Sequence, residues 1–175
     1  MTVAARGFLD LVADLRSVAD SDASGVTDPI ALPAVPGGYL LLARLATALP
    51  LEVARLSATT LPAGWYVYAG SARGPGGIRA RAGRHLQRGK RPHWHVDYLT
   101  EAAADLWVFA APGGRECDLL RGLLARPAFD TALAGFGSSD CRFCASHLLA
   151  VRPGHAGQDR HCPEPGRRRT GAQFK

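Results

Sequence analysis

Between Gly64 and His85 the chain reads GWYVYAGSARGPGGIRARAGRH, and no other stretch restricts the fold so tightly. Trp65, Val67 and Ala69 alternate with Tyr66 and Tyr68, the period of two that belongs to a β-strand with two different faces. Gly70, Ser71 and Ala72 close the strand. Gly74, Pro75, Gly76 and Gly77 then turn the chain, and are expected to leave free N–H groups at a helix N-terminus, where anions are favoured. The helix starts at Ile78. Ile78, Ala82 and Leu86 recur every fourth residue as a core stripe, while Arg81 and His85 share a neighbouring stripe. A fixed cation and a titratable imidazole therefore leave the helix together. On an isolated helix such a pattern is more often a solvated basic face than a site, so its weight depends on what accompanies it.

The 175 residues, 47% of them apolar, suffice for one domain with a true core and tails, but not for two comfortable domains. The net charge of +6 is modest but unevenly spread. Seven cations and no acid fall between Arg73 and Arg91, whereas the residues before Gly37 are net acidic. A local basic strip attracts polyanions and releases their counterions, so nucleic acid is the expected partner, through Arg73, Arg79, Arg84, Arg88, Lys90 and Arg91. No run approaches the roughly 20 apolar residues of a membrane span, and no secretory leader opens the chain. A cytoplasmic protein is expected, and its four cysteines are then thiols or metal ligands rather than disulfides.

Phe8, Leu11, Val12, Leu15, Val18 and Ala19 follow the helical period, and a linker rich in Asp, Ser and Pro runs on to residue 35. The main domain is expected over 36–152. Gly38–Leu45 is a strand whose continuous leucines imply burial on both faces. A long connection, with a short extra strand over Leu51–Leu56, returns the chain to Tyr66 and Tyr68. The two tyrosine strands then pair antiparallel and bring Tyr39 close to Tyr68. A short helix follows His93-Trp94-His95, where capping and packing on Trp94 are the expected roles of the histidines. Asp105–Ala111 is a third strand, and Arg115–Arg126 a helix with Leu119, Leu120, Leu123 and Leu124 as its core stripe. Glu116 lies in its first turn, where a carboxylate commonly just complements the helix dipole. Ser146–Arg152 is a final strand. Residues 153–175, with their arginine triplet and few apolar residues, are expected to form a flexible basic tail.

In GFGSSDCRFCASH, from Gly135 to His147, Cys141, Cys144 and His147 are spaced like half of a zinc site. No fourth ligand is evident from the spacing. Thiols packed in a loop are therefore preferred here over zinc.

Gly38-Tyr39, Tyr68-Ala69-Gly70-Ser71, Arg81 with His85, and then Glu116 occur in the order that resembles the GIY-YIG nuclease superfamily. The strings GWYVYAGSA, HWHVDYL and GFGSSDC resemble its small-protein branch, long carried as a domain of unknown function and sometimes described as Uri-type endonucleases. The resemblance covers Pro36 to Arg152. It implies that Tyr39 and Tyr68 are the signature tyrosines, one of which orients the attacking water. It also implies that Arg81 steadies the scissile phosphate, with His85 beside it, and that Glu116 holds a single Mg²⁺ or Mn²⁺.

The sequence is thus expected to give an α+β fold, a small, mainly antiparallel sheet flanked by helices, with the polar ends of the Arg81 and Glu116 helices converging on one cleft. The expected function is metal-dependent hydrolysis of nucleic-acid phosphodiester bonds, with DNA the preferred substrate. The alternative is a non-catalytic nucleic-acid-binding or adaptor module. A zinc hydrolase centred on Cys141, Cys144 and His147 ranks last, because it lacks a set of residues to position the nucleophile.

Overall fold

The structure, a computed structural model, describes residues 7–21, 25–51, 56 and 58–153. The tail expected over 153–175 therefore lies outside the described residues from position 154 on, as do residues 52–55 of the expected extra strand.

Five antiparallel strands form the sheet: β1 (Gly37–Leu45), β4 (Gly64–Ala72), β5 (Asp105–Pro112), β6 (Phe129–Thr131) and β7 (Leu148–Val151), in the order β5-β1-β4-β7-β6. β2 (Leu49–Leu51) and β3 (Thr59–Leu61) pair separately within the connection from β1 to β4. β6 has no counterpart in the sequence reading, because three residues are too few to display a period.

The leucine run of β1 is buried throughout because both faces of the sheet are covered. On one face, Tyr39, Leu41, Ala43, Tyr66 and Tyr68 pack with Ile78 and Ala82 of α2 (Gly77–Leu86) and with Val96 and Leu99 of α3 (His95–Ala102). On the other, Leu40, Leu42, Val67 and Ala69 pack with Leu11 and Leu15 of α1 (Phe8–Ala19) and Leu119, Leu120 and Leu123 of α4 (Glu116–Leu124). Leu124, expected in that stripe, is instead exposed. The helix before residue 36 belongs to the same packed body. Arg126 reinforces its seat by pairing with Asp14 and donating to Ser17.

Register decides where the tyrosines stand. Tyr39 lies opposite Gly70 and Tyr68 opposite Leu41, so both rings rise from the same face two residues apart along the ladder. A Cβ at residue 70 would come within 2.2 Å of the Tyr39 ring. Glycine is required there because the Tyr39 ring lies across β4.

The turn before α2 differs from expectation in one respect. Gly76 and Gly77 adopt φ of 76° and 55°, as the glycine run suggests. The first-turn N–H groups, however, are not left for an anion: Ile78 donates to the Val35 carbonyl and Arg79 to that of Pro33, each at 3.0 Å. The proline-rich linker returns to cap this helix, a long-range contact that local sequence cannot reveal.

Candidate functional site

α2 and α4 lie on opposite faces of the sheet, so Arg81 and Glu116 do not share the one cleft expected from sequence, although both charges reach Tyr68. His85, expected to project with Arg81, is buried at 1% exposure, whereas Arg81 is exposed. The Tyr39 hydroxyl lies 2.9 Å from His85 Nε2, and His85 Nδ1 lies 3.3 Å from Asp97 Oδ1. Arg84 Nη1 donates to both oxygens of Asp97 at 2.9 Å, and the His93 and Trp94 N–H groups donate to Oδ2 at 2.8 and 3.0 Å.

Asp97, the carboxylate at the centre of this network, was not a site candidate in the sequence. Its signal was its place in the first turn of α3, three residues after the N-cap Trp94, from where its carboxylate reaches back to the backbone. Burial alone would raise its pKa, but the hydrogen bonds from His85, Trp94, His93 and Arg84 hold it well below the usual carboxylate range. Burial lowers the His85 pKa, against the pull of Asp97, and Lys90 and Arg81 lower it further. A neutral imidazole thus stands between an ionised carboxylate and a phenol. Because the carboxylate only accepts, Nδ1 carries the proton and Nε2 accepts from the Tyr39 O–H. Burial raises the Tyr39 pKa well above its ordinary value, so the phenol keeps its proton.

Tyr68 is in a different position. Burial pushes its pKa up to about 12, Arg81 opposes this, and the charges of Glu116, Asp97 and Asp140 add to it. Among the described residues no hydrogen bond engages its hydroxyl. The Glu116 carboxylate, half-buried at the start of α4, is likewise in no ion pair or hydrogen bond among the described residues. Arg81 and Arg84 line a shallow cleft of about 250 Å³ with Gly74, Pro75, Ala80 and Trp94. Each guanidinium lies 4.8 Å from the Trp94 ring centroid. Tyr39, Tyr68, His85 and Glu116 are not among the residues that line it.

Much of the basic strip between Arg73 and Arg91 is hydrogen-bonded to the protein itself, although Arg79 and Arg88 stay exposed. Arg79 donates to the Leu32 carbonyl, Arg84 pairs with Asp97, and Arg88 donates to the Thr100 carbonyl. Lys90 pairs with Glu101. Arg73 and Arg91 are exposed, and the side chain of Arg73 makes one long contact, 3.3 Å, to the Gly114 carbonyl.

Cys141, Cys144 and His147 do have a fourth neighbour, which corrects the reading from spacing alone. It is Cys117, in the first turn of α4, and the four potential ligand atoms all lie within 4.8 Å of one another. This cluster could hold a metal ion. Cys117 is 24 residues from Cys141 in sequence, and only the packing of α4 beside the 132–147 loop joins them. The Phe143 and Cys144 N–H groups donate to the Cys141 sulfur at 3.5 and 3.3 Å and hold its thiol down to about 6, although burial opposes this. His95, expected to cap or pack, accepts a hydrogen bond from the Gly137 N–H at 3.3 Å and packs on Phe136. His93 packs on Trp94 as expected.

Among the described residues no helix is long and apolar enough to cross a membrane. The model of one protein family, described as domain of unknown function DUF123, matches residues 38–161. No curated protein and no solved structure matches the chain.

Proposed function

We propose that this chain, which belongs to the DUF123 family, is a metal-dependent endonuclease of the GIY-YIG type acting on nucleic acid, with DNA the preferred substrate. The observation that supports this reading is that Tyr39 and Tyr68 share one face of β1 and β4, Tyr39 bonds His85, and the charges of Arg81 and Glu116 both reach Tyr68, in the motif order of that superfamily.

The two tyrosines divide the work. The Tyr39 hydroxyl is fully buried and committed to His85, so it is a positioning group whose chain of hydrogen bonds through His85 to Asp97 fixes the wall of the site. The Tyr68 hydroxyl is the uncommitted one. With a pKa of about 12 it stays neutral near pH 7 and orients the attacking water as a hydrogen-bond partner, not as a phenolate base. Arg81, exposed beside Trp94, offers its guanidinium fork to the scissile phosphate and offsets the charge that grows on its oxygens. Arg73 and Arg91, both exposed, are offered to flanking phosphates, and exposed Arg79 and Arg88 keep further donors beside them.

The donor set at Glu116 suits a hard divalent cation, since Mg²⁺ commonly takes one or two carboxylates and completes its shell with water and substrate phosphate. When bound, Mg²⁺ or Mn²⁺ supplies Lewis-acid stabilisation of the phosphoryl and leaving oxygens. A cleavage panel of single-stranded, duplex and branched DNA and RNA with either ion tests the reading. Cleavage of at least one substrate, lost in Glu116→Gln, is expected. Tight binding by the wild type without cleavage of any substrate would replace the nuclease with the adaptor module.

A further inference from the structure

We propose that Cys117, Cys141, Cys144 and His147 bind one Zn²⁺, a clasp that ties the first turn of α4 to the loop before β7. Three sulfurs and an imidazole within 4.8 Å of one another make a donor set of the soft, borderline kind that selects zinc over Mg²⁺ or Ca²⁺. The Cys117 and Cys141 sulfurs are 3.6 Å apart, against the roughly 3.8 Å that a tetrahedron with Zn–S bonds of about 2.3 Å requires. A second observation points to a ligand independently. His147 is 6% exposed, and its Nε2 is the only buried side-chain nitrogen or oxygen among the described residues that has no hydrogen-bond partner. A buried imidazole nitrogen is costly to leave unpaired, and a metal ion satisfies it.

The clasp also has a positional consequence, which rests on the nuclease reading. Cys117 follows Glu116 and Cys141 follows Asp140, and the charges of both carboxylates reach Tyr68. Fixing the two cysteines to one ion fixes both carboxylates relative to that hydroxyl. Zinc is then a structural support of the proposed Mg²⁺ site and takes no part in the chemistry.

The test uses the full chain, purified under reducing conditions without chelator. Elemental analysis should find about one zinc per chain, and Co²⁺ exchanged into the site should show sulfur-to-cobalt charge transfer with the visible bands of tetrahedral coordination. Cys117→Ser and His147→Ala should lose the metal. His147→Cys, which keeps four ligands, should retain it. After zinc is stripped, Mg²⁺ alone should restore cleavage about 10–100-fold less well than Mg²⁺ with zinc. Absence of zinc and cobalt binding by reduced protein would overturn the proposal, as would a Cys117–Cys141 disulfide detected by intact mass. Full zinc in a protein that cleaves nothing would retain the clasp and remove only the nuclease. Cleavage by zinc-free protein at the full rate would retain the nuclease and overturn the support that the clasp is proposed to give the Mg²⁺ site.

Discussion

Single side chains divide here by whether their polar atoms are already engaged. Tyr68→Phe keeps the ring packing and removes only the uncommitted hydroxyl, so cleavage should fall about 10²-fold or more with little change in melting temperature, checked by single-turnover rates and thermal denaturation. Glu116→Gln should lower cleavage by orders of magnitude and leave binding intact, and Arg81→Lys should rescue Arg81→Ala poorly, because a point charge cannot form the guanidinium fork. His85 and Asp97 carry a pH dependence. Both have folded pKa values below their unfolded ones, so the unfolded chain binds more protons as acid is added. Their stabilisation is complete above the unfolded His value of about 6.5 and declines as pH falls below it, with a second decline below the Asp value of about 3.9. Thermal melts from pH 8 down to 4 should show the first decline, and His85→Gln should flatten it.

Among elements, the contact that matters most is the seat of α2 and α3 over β1 and β4. Asp97 fastens it, because one carboxylate binds the α2 residues Arg84 and His85 and the N-terminus of α3 together. Asp97→Ala leaves Arg84 and His85 without their buried partner and should destabilise the protein by about 3–5 kcal/mol, measured by urea denaturation. The Tyr39 ring across Gly70 is the second such contact. Gly70→Ala should displace a ring that is fully buried and hydrogen-bonded, costing about 1–3 kcal/mol and breaking the Tyr39–His85 hydrogen bond, which a shifted His85 imidazole resonance would report. Most elements were legible in the sequence, β1 and β5 as apolar runs and β4, α1, α2 and α4 by their periods. β6 was not, and neither was the capping of α2 by residues 33–35, since both depend on partners distant along the chain.

For the whole molecule, the two segments outside the resemblance carry different predictions. α1 contributes Leu11, Leu15 and Ala19 to the core beneath α4, so Leu15→Ala should cost about 2–5 kcal/mol and truncation before residue 36 should impair folding, as denaturant midpoints would show. Removal of residues 154–175 should instead weaken nucleic-acid binding most at low salt and flatten its salt dependence, without lowering turnover at saturating substrate.

The sequence by itself determined the apolar run of β1, the alternation of β4 and the helical stripes, because period and residue type are local properties of a chain, and its motif order singled out Tyr39, Tyr68, Arg81, His85 and Glu116 through the family resemblance. Tertiary structure decided what those side chains are free to do. It committed Tyr39 to His85 and Asp97, left the Tyr68 hydroxyl without a hydrogen-bond partner among the described residues, and gave Arg79, Arg84, Arg88 and Lys90 partners within the protein. It also brought Cys117 to Cys141, Cys144 and His147. The physical reason is shared by all of these: hydrogen bonds, ion pairs and metal ligation depend on distances of a few ångströms between residues that are remote in sequence. Those distances are set only when helices from both faces close over the sheet.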